Sequence, residues 1–144
     1  MPSAAARLGE TANDYLVHLR FGRTGVLASY EKPESREKLA KLHAPLGAER
    51  NVTDVEVLRV EPIGDRGTVV AQLSWYSPGE LLLRSSTVEQ RWSKTSTGMW
   101  LVDDERVVAG DVSFYESAPP VGERAPAMKE LGKGARFPTV RLGN

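Results

Sequence analysis

The first third of the chain carries apolar side chains at the three- and four-residue spacing of amphipathic helices. Over residues 4–20 that spacing gathers one stripe, made of Leu8, Ala12, Tyr15, Leu16 and Leu19. Gly22 then supplies a C-terminal stop. Thr24 begins a second, short helix, and Pro33 suits the first turn of a third helix that ends at Pro45. The pattern therefore predicts three short helices at the N-terminus.

From residue 52 onward the spacing changes to the period of two that is typical of strands. We expect strands over 52–63, 68–76, 81–93 and 99–103, joined by turns that contain glycine. In the second strand one face carries Val69, Ala71, Leu73 and Trp75, and the other carries Val70, Gln72, Ser74 and Tyr76. Helices followed by strands predict an α+β fold, with three N-terminal helices packed on a curved antiparallel four-stranded meander.

Two of the three tryptophans, Trp92 and Trp100, flank the turn between the third and fourth predicted strands. Aromatic side chains across adjacent strands stabilise a sheet, and they hold its register because a one-residue slip would move each indole to the opposite face. We therefore interpret this pair as packing that closes the sheet rather than as a surface for a ligand.

The C-terminal part has a different composition. Prolines and glycines recur from Pro119 to Pro138, which prevents a long regular element. Phe114, Tyr115 and Phe137 make this part more apolar than a solvated linker. We predict one domain over 1–110 and an irregular tail over 111–144, which is either a frayed terminus or an arm that docks on its own sheet or on a partner.

Composition narrows the functional classes. The 144 residues have a formal net charge of zero, so we expect no nucleic-acid binding. The chain lacks cysteine, and His18 and His43 lie far apart, so we expect no metal site. No apolar run approaches the ~20 residues of a membrane span, and the first residues lack the apolar region of a signal peptide.

Several short motifs resemble the nuclear-transport-factor-like, or cystatin-like cone, superfamily, and within it a group of small uncharacterised bacterial lipoproteins. They are the helix motif at 15–22, P-E-x-R at 33–36, W/Y-Y-x-P at 75–78, Q-R-W at 90–92 and the hairpin over 88–102. The resemblance implies a curved sheet around a long helix, often with a pocket between them. It also implies a lipid anchor in the native precursor, and a cell-envelope or periplasmic location if an export signal was removed, otherwise a cytoplasmic one.

Enzymes of that superfamily, such as those similar to ketosteroid isomerase and scytalone dehydratase, use a carboxylate base or an Asp-His pair with a hydrogen-bond donor in an apolar pocket. Tyr15 is at about the place of such a donor. The inward strand positions offer Gln90, Ser86 or Arg84, depending on register, and no acid or histidine. We expect Asp103, Asp104 and Glu105 to form a solvated turn beyond the last strand, so the base is missing and no residue is predicted to be catalytic.

The sequence therefore favours a non-catalytic binding or assembly module that docks a protein partner or self-associates through its sheet and tail, without a cofactor. The partner-docking candidates are Tyr76, Phe114, Tyr115 and Phe137. The alternatives are a small isomerase- or dehydratase-type enzyme that uses the cone pocket, and a carrier of a small apolar ligand. The pocket candidates are Tyr15, Tyr30, Trp75, Gln90 and Trp92.

Overall fold

The computed structural model describes residues 2–116. Its helices are α1 (Ala4–Arg20), α2 (Thr24–Leu27) and α3 (Arg36–Leu42), with single 3-10 turns before α3 at Ala28–Tyr30 and Pro33–Ser35. The Ser3 hydroxyl caps α1 by accepting the Ala6 N–H at 3.0 Å. All five residues of the predicted apolar stripe on α1 are buried. None of the helices in the described part of the chain has the length and apolarity to cross a bilayer.

The strands are β1 (Asn51–Ile63), β2 (Arg66–Tyr76), β3 (Arg84–Lys94) and β4 (Trp100–Gly110). They form one sheet in the order β1-β2-β3-β4, with every neighbouring pair antiparallel. Register shifts interrupt the pairing at two places in β1–β2 and two in β3–β4. Such bulges bend a strand and increase its twist. The predicted α+β fold, with three helices followed by a four-stranded meander, is confirmed.

Two predicted strand limits are wrong. The third strand begins at Arg84 rather than at residue 81, and the leucines at 81–83 lie exposed in the preceding loop. The fourth strand continues from the predicted end at Asp103 to Gly110, because β3 provides pairing partners as far as Ser86. The acidic run at 103–105 thus lies inside β4, and it is not a turn beyond the sheet.

The inner face of the sheet packs against α1. Val69, Ala71, Leu73 and Trp75 are all buried there, as their alternation predicts. Trp92 and Trp100 belong to the same core. Trp92 lies opposite Val102 and Trp100 opposite Lys94, so the two indoles are diagonal rather than directly paired. Because both lie on the inner face, a one-residue slip would still move either ring to the outside.

The first residues of the predicted tail pack against the end of the sheet. A 3-10 turn, Val112–Tyr115, buries Phe114 completely, and its ring centroid lies 5.4 Å from that of Trp75. The Arg50 guanidinium donates through Nη2 to the carbonyl of Ser113 at 3.1 Å and to the carbonyl of Glu116. The domain limits 1–110 and 111–144 stay a prediction, and Phe137 lies outside the described residues.

Candidate functional site

A chain of hydrogen bonds crosses the interior from the residue that follows α3 to β3. His43 Nε2 donates to Glu105 Oε1 at 2.6 Å, and Gln90 Nε2 donates to Glu105 Oε2 at 2.5 Å. Trp92 Nε1 donates to Gln90 Oε1 at 3.1 Å. All four residues are buried. A carboxylate that is removed from water is costly unless its oxygens are paired, and both oxygens of Glu105 have a donor here.

A second buried pair lies beside this chain. The Tyr15 hydroxyl on α1 donates to Glu31 Oε2 at 2.8 Å. The Tyr15 ring also lies 6.2 Å from the His43 ring and 5.8 Å, edge to face, from the Trp92 ring. Glu31 is held in place because it bridges to Val102 at the edge of β4. The hydrogen-bonded chain and this pair therefore form one cluster between the helices and the sheet.

The position of Glu105 corrects the prediction that the inward strand positions carry no acid or histidine. Asp104 pairs with Arg91 and Val102 pairs with Trp92, so Asp103 between them is an extra residue in a bulge. This bulge reverses the alternation along β4, and Glu105 consequently points inward, where it is 3% exposed. Glu31 and His43, which the sequence did not single out as chemical groups, complete the cluster beside Tyr15.

Burial and mutual charge shift the pKa values of this cluster in different directions. Burial would raise the pKa of Glu105, but the charge and hydrogen bond of His43 and the hydrogen bond of Gln90 outweigh it, so this pKa is lowered. Burial raises the pKa of Glu31 despite the Tyr15 hydrogen bond. Burial and then the charges of Glu105 and Glu31 raise the pKa of Tyr15 far above its ordinary value, so its hydroxyl stays a donor.

On the helix side the cluster borders a cavity. A cavity of about 460 Å³ lies between α2 and α3, and both Glu31 and His43 are part of its lining. Leu27, Ala28, Ala40 and Leu46 give the cavity apolar walls. Glu31 and His43 are themselves only 3% and 2% exposed. Within residues 2–116 no group of histidine and acidic side chains has an arrangement that would hold a metal ion.

Four of the five pocket candidates lie together. Tyr15, Gln90 and Trp92 belong to the cluster, and the Tyr30 ring lies 5.8 Å from the Tyr15 ring. Trp75 lies apart from them at the end of the sheet that the 3-10 turn Val112–Tyr115 covers. Its indole N–H donates to the Ser86 hydroxyl at 3.0 Å. The predicted pocket is therefore a packed interior at these residues, where the tryptophans and Tyr15 are at most 1% exposed.

The docking candidates are placed differently from one another. Tyr76 is 38% exposed at the end of β2. Phe114 is fully buried in the core of its own chain, so its ring contacts Trp75 and is not available to a partner. Tyr115 is half-buried, and burial followed by the charge of Glu105 raises the pKa of its hydroxyl. Phe137 lies outside the described residues.

The sheet surface opposite α1, which we call the outer face, carries mostly polar side chains in rows across the strands, with Val70 and Ala109 as the apolar members. Row A is Arg59–Val70–Glu89–Arg106, and row B is Glu61–Thr68–Arg91–Asp104. A third row, Glu56–Gln72–Thr87–Ala109, follows row A toward the Tyr76 end of β2. Gln72, Arg91 and Arg106 are exposed. These three side chains are open to solvent, whereas Val70 in row A is only 6% exposed.

Among solved structures, the chain is similar to the VirB8 protein of Agrobacterium tumefaciens. The TM-score is 0.53 at 13% sequence identity, over 77% of this chain and 96% of that chain. The chain has a nuclear-transport-factor-like α+β fold. No family model and no curated protein matches it. The nuclear-transport-factor-like fold agrees with the resemblance seen in the sequence, whereas the narrower resemblance to bacterial lipoproteins stays a prediction.

Proposed function

We propose that this protein is a non-catalytic binding module that docks a protein partner or a second copy of itself through the outer face of its sheet. The observation that carries this proposal is the contrast between the two sides of the sheet. On the inner side, the polar groups of Glu105, Gln90 and Trp92 are bonded to one another. On the outer side, exposed side chains such as Gln72, Arg91 and Arg106 face solvent.

The composition of the outer face supports this function. Exposed apolar residues, namely Leu58, Tyr76 and Val108, lie on the strands among charged and amide side chains. Protein interfaces are typically mixed in this way, and aromatic residues are enriched in them. The strands also hold these side chains in a fixed array, which lowers the entropy lost on association.

The test is to block the outer face with a bulky group. Because the chain has no cysteine, Gln72→Cys creates a single attachment point for a polyethylene glycol maleimide at the exposed centre of this face. We expect the labelled protein to lose both self-association, measured by light scattering, and capture of partner proteins from a lysate. Met99→Cys, 55% exposed at the β3–β4 turn, is the matched control that retains both. Unchanged association of the labelled Gln72→Cys protein would contradict the proposal.

One observation favours a second function, acid–base chemistry on a small ligand in the cavity between α2 and α3. Glu31 and His43 lie in the lining of this cavity beside Tyr15, and the pKa of Glu31 is raised. A carboxyl with a raised pKa exchanges protons closer to neutral pH than an ordinary one does, as a general acid or base requires. The apolar walls of the cavity suit a small ketone.

This second function predicts that the protein accelerates exchange of the α-protons of small ketones with deuterium oxide, which is followed by proton NMR. We expect Glu31→Gln to abolish the acceleration because the exchanging carboxyl is lost. Glu37→Gln, at an exposed carboxylate on the same cavity, is expected to preserve it. Exchange by the wild-type protein at the rate of buffer alone, across a panel of ketones, would eliminate this function.

A further inference from the structure

Consecutive leucines form the tip of the loop between β2 and β3, which we call the leucine loop. Leu81 is 106% exposed, Leu82 is 51% exposed and Leu83 is 63% exposed. The base of the loop is closed, because Arg84 Nη2 donates to Glu80 Oε1 at 3.3 Å. This ion pair joins the two residues that flank the leucines, so the leucines project from the sheet instead of packing on the core.

A second exposed apolar side chain directly follows α1. Phe21 is 56% exposed. The guanidinium carbons of Arg20 and Arg23 lie 4.9 Å and 5.1 Å from the centre of its ring. Such cation–π contacts hold a positive charge next to apolar surface. This site therefore combines one exposed aromatic ring with two positive charges.

The leucine loop and Phe21 lie at the same end of the domain. Gly22, which follows Phe21, packs against the backbone of Gly47, and the Gly47 N–H donates to the Arg50 carbonyl at 2.9 Å. Arg50 Nη1 in turn donates to Ser77 Oγ at 3.1 Å, where the loop after β2 begins. The turns that join β1 to β2 and β3 to β4 lie at the opposite end of the sheet.

We propose that this end of the domain docks on the surface of a bilayer that contains anionic phospholipids. The leucine loop enters the boundary between headgroups and acyl chains, and Arg20 and Arg23 contact the headgroup phosphates. The charges of Glu80 and Arg84 at the base of the loop stay at the headgroups, so the insertion is shallow, about 5–10 Å. The contact reaches one leaflet only. It goes beyond the proposed function, because the outer face of the sheet takes no part in it.

The shape of the leucine loop is the reason for choosing a bilayer over a protein. Consecutive residues of a loop project in different directions, and Leu81 is as exposed as in an extended chain. A protein surface would contact such a tip on one side, whereas acyl chains surround it. The positive charges beside Phe21 match anionic headgroups, since guanidinium groups bind phosphate through paired hydrogen bonds.

The amount of apolar surface sets the strength of the contact. Three leucine side chains carry about 12 aliphatic carbons, close to the ~14 of one myristoyl chain, which binds bilayers with an association constant of only about 10⁴ M⁻¹. Leu82 and Leu83 are already partly covered, so the loop alone binds more weakly than that. Attraction between the arginines and anionic lipid adds to it. We therefore expect reversible binding that weakens as salt is raised.

Flotation of the full chain with vesicles of equal parts phosphatidylcholine and phosphatidylglycerol tests the loop. We expect Leu81→Gln with Leu83→Gln to lower the partition coefficient at least about tenfold, because two exposed leucines no longer transfer out of water. Ile63→Gln with Met99→Gln is the matched control. These residues are 80% and 55% exposed at the opposite end of the sheet, and the control is expected to bind as the wild type does.

The arginines are tested separately on the same vesicles. Arg20→Gln with Arg23→Gln should lower the partition coefficient at least about fivefold, and it should leave the weaker binding to pure phosphatidylcholine unchanged. Arg59→Gln with Arg106→Gln removes the same charge from the outer face, where these side chains are 58% and 60% exposed. This control is expected to retain the binding of the wild type.

A fluorescent label reports insertion directly and does not depend on the glutamine variants. Because the chain has no cysteine, Leu82→Cys provides a single site for a nitrobenzoxadiazole label. We expect vesicles to shift its emission to shorter wavelength, and phosphatidylcholine with a nitroxide high in the acyl chain to quench it. The same label at Met99→Cys should stay in water.

Several results would overturn the inference. They are a wild-type chain that does not float with the vesicles, equal flotation of the leucine variant, and a label at residue 82 that stays in water. An equal loss of binding in the Ile63→Gln with Met99→Gln control would also overturn it, because the binding would then not belong to this end of the domain. The polyethylene glycol label on the outer face tests a different surface, so the two proposals fail independently.

Discussion

Replacing Glu105 with alanine is expected to lower the free energy of unfolding by about 3–5 kcal/mol, because it leaves His43 and Gln90 buried without their shared acceptor. Urea unfolding at neutral pH measures this loss. Asp104→Ala is the matched control, since this neighbouring carboxylate is 43% exposed and pairs with Lys38 on the surface. We expect the control to change stability by less than about 1 kcal/mol. A loss below that value for Glu105→Ala would contradict the role of the cluster.

The contribution of Glu105 to the free energy of unfolding also depends on pH, and the direction of this dependence follows from its pKa. The pKa is lowered in the folded state, below the ordinary value of 4.5. Its stabilising contribution is therefore complete above pH 4.5 and is lost as the pH falls through the folded-state value. The difference in stability between wild type and Glu105→Ala should consequently narrow in acid. A difference that stays constant down to strongly acidic pH would show that the charge of Glu105 does not contribute.

Phe114→Ala is expected to cost about 3–5 kcal/mol, because truncation of a fully buried phenylalanine removes apolar contact and leaves a cavity. The measurement is again the free energy of unfolding in urea. Val112→Ala, in the same 3-10 turn but 70% exposed, is the control and should change stability by less than about 0.5 kcal/mol. If both variants changed stability by an equally small amount, residues 111–116 would lie outside the folded domain, which is the arrangement predicted by a domain limit at residue 110.

The fold was predictable from the sequence because its elements have strong periodicity. The α1 stripe and the alternation along β2 each arise from side chains that repeat at the spacing of one element, so local residues suffice to define the buried face. The boundaries at 84 and 110 were not predictable in this way. They depend on how far the neighbouring strand extends, which is a property of the paired strands and not of either sequence segment alone.

The buried cluster was missed for a physical reason as well. Alternation from Trp100 and Val102 places Glu105 on the solvent side, and only the bulge at Asp103 turns it inward. One signal was present in the sequence. Gln90 alternates with Val88 and Trp92 on the inner face, and a buried amide needs polar partners, so an acid on the adjacent strand was a reasonable expectation. The sequence does not reveal that the partner of that acid is His43, directly after α3.

The contacts of Arg50 have a consequence for the order in which the protein folds during its synthesis on the ribosome. The guanidinium of Arg50, which directly precedes β1, donates to the carbonyls of Ser113 and Glu116, and the ring of Phe114 packs against Trp75. These groups are synthesised after all four strands. A nascent chain therefore keeps the Trp75 end of its core uncovered until residue 116 has left the exit tunnel. Truncation before that point removes the two carbonyls that accept from Arg50 Nη2 and the ring that packs on Trp75.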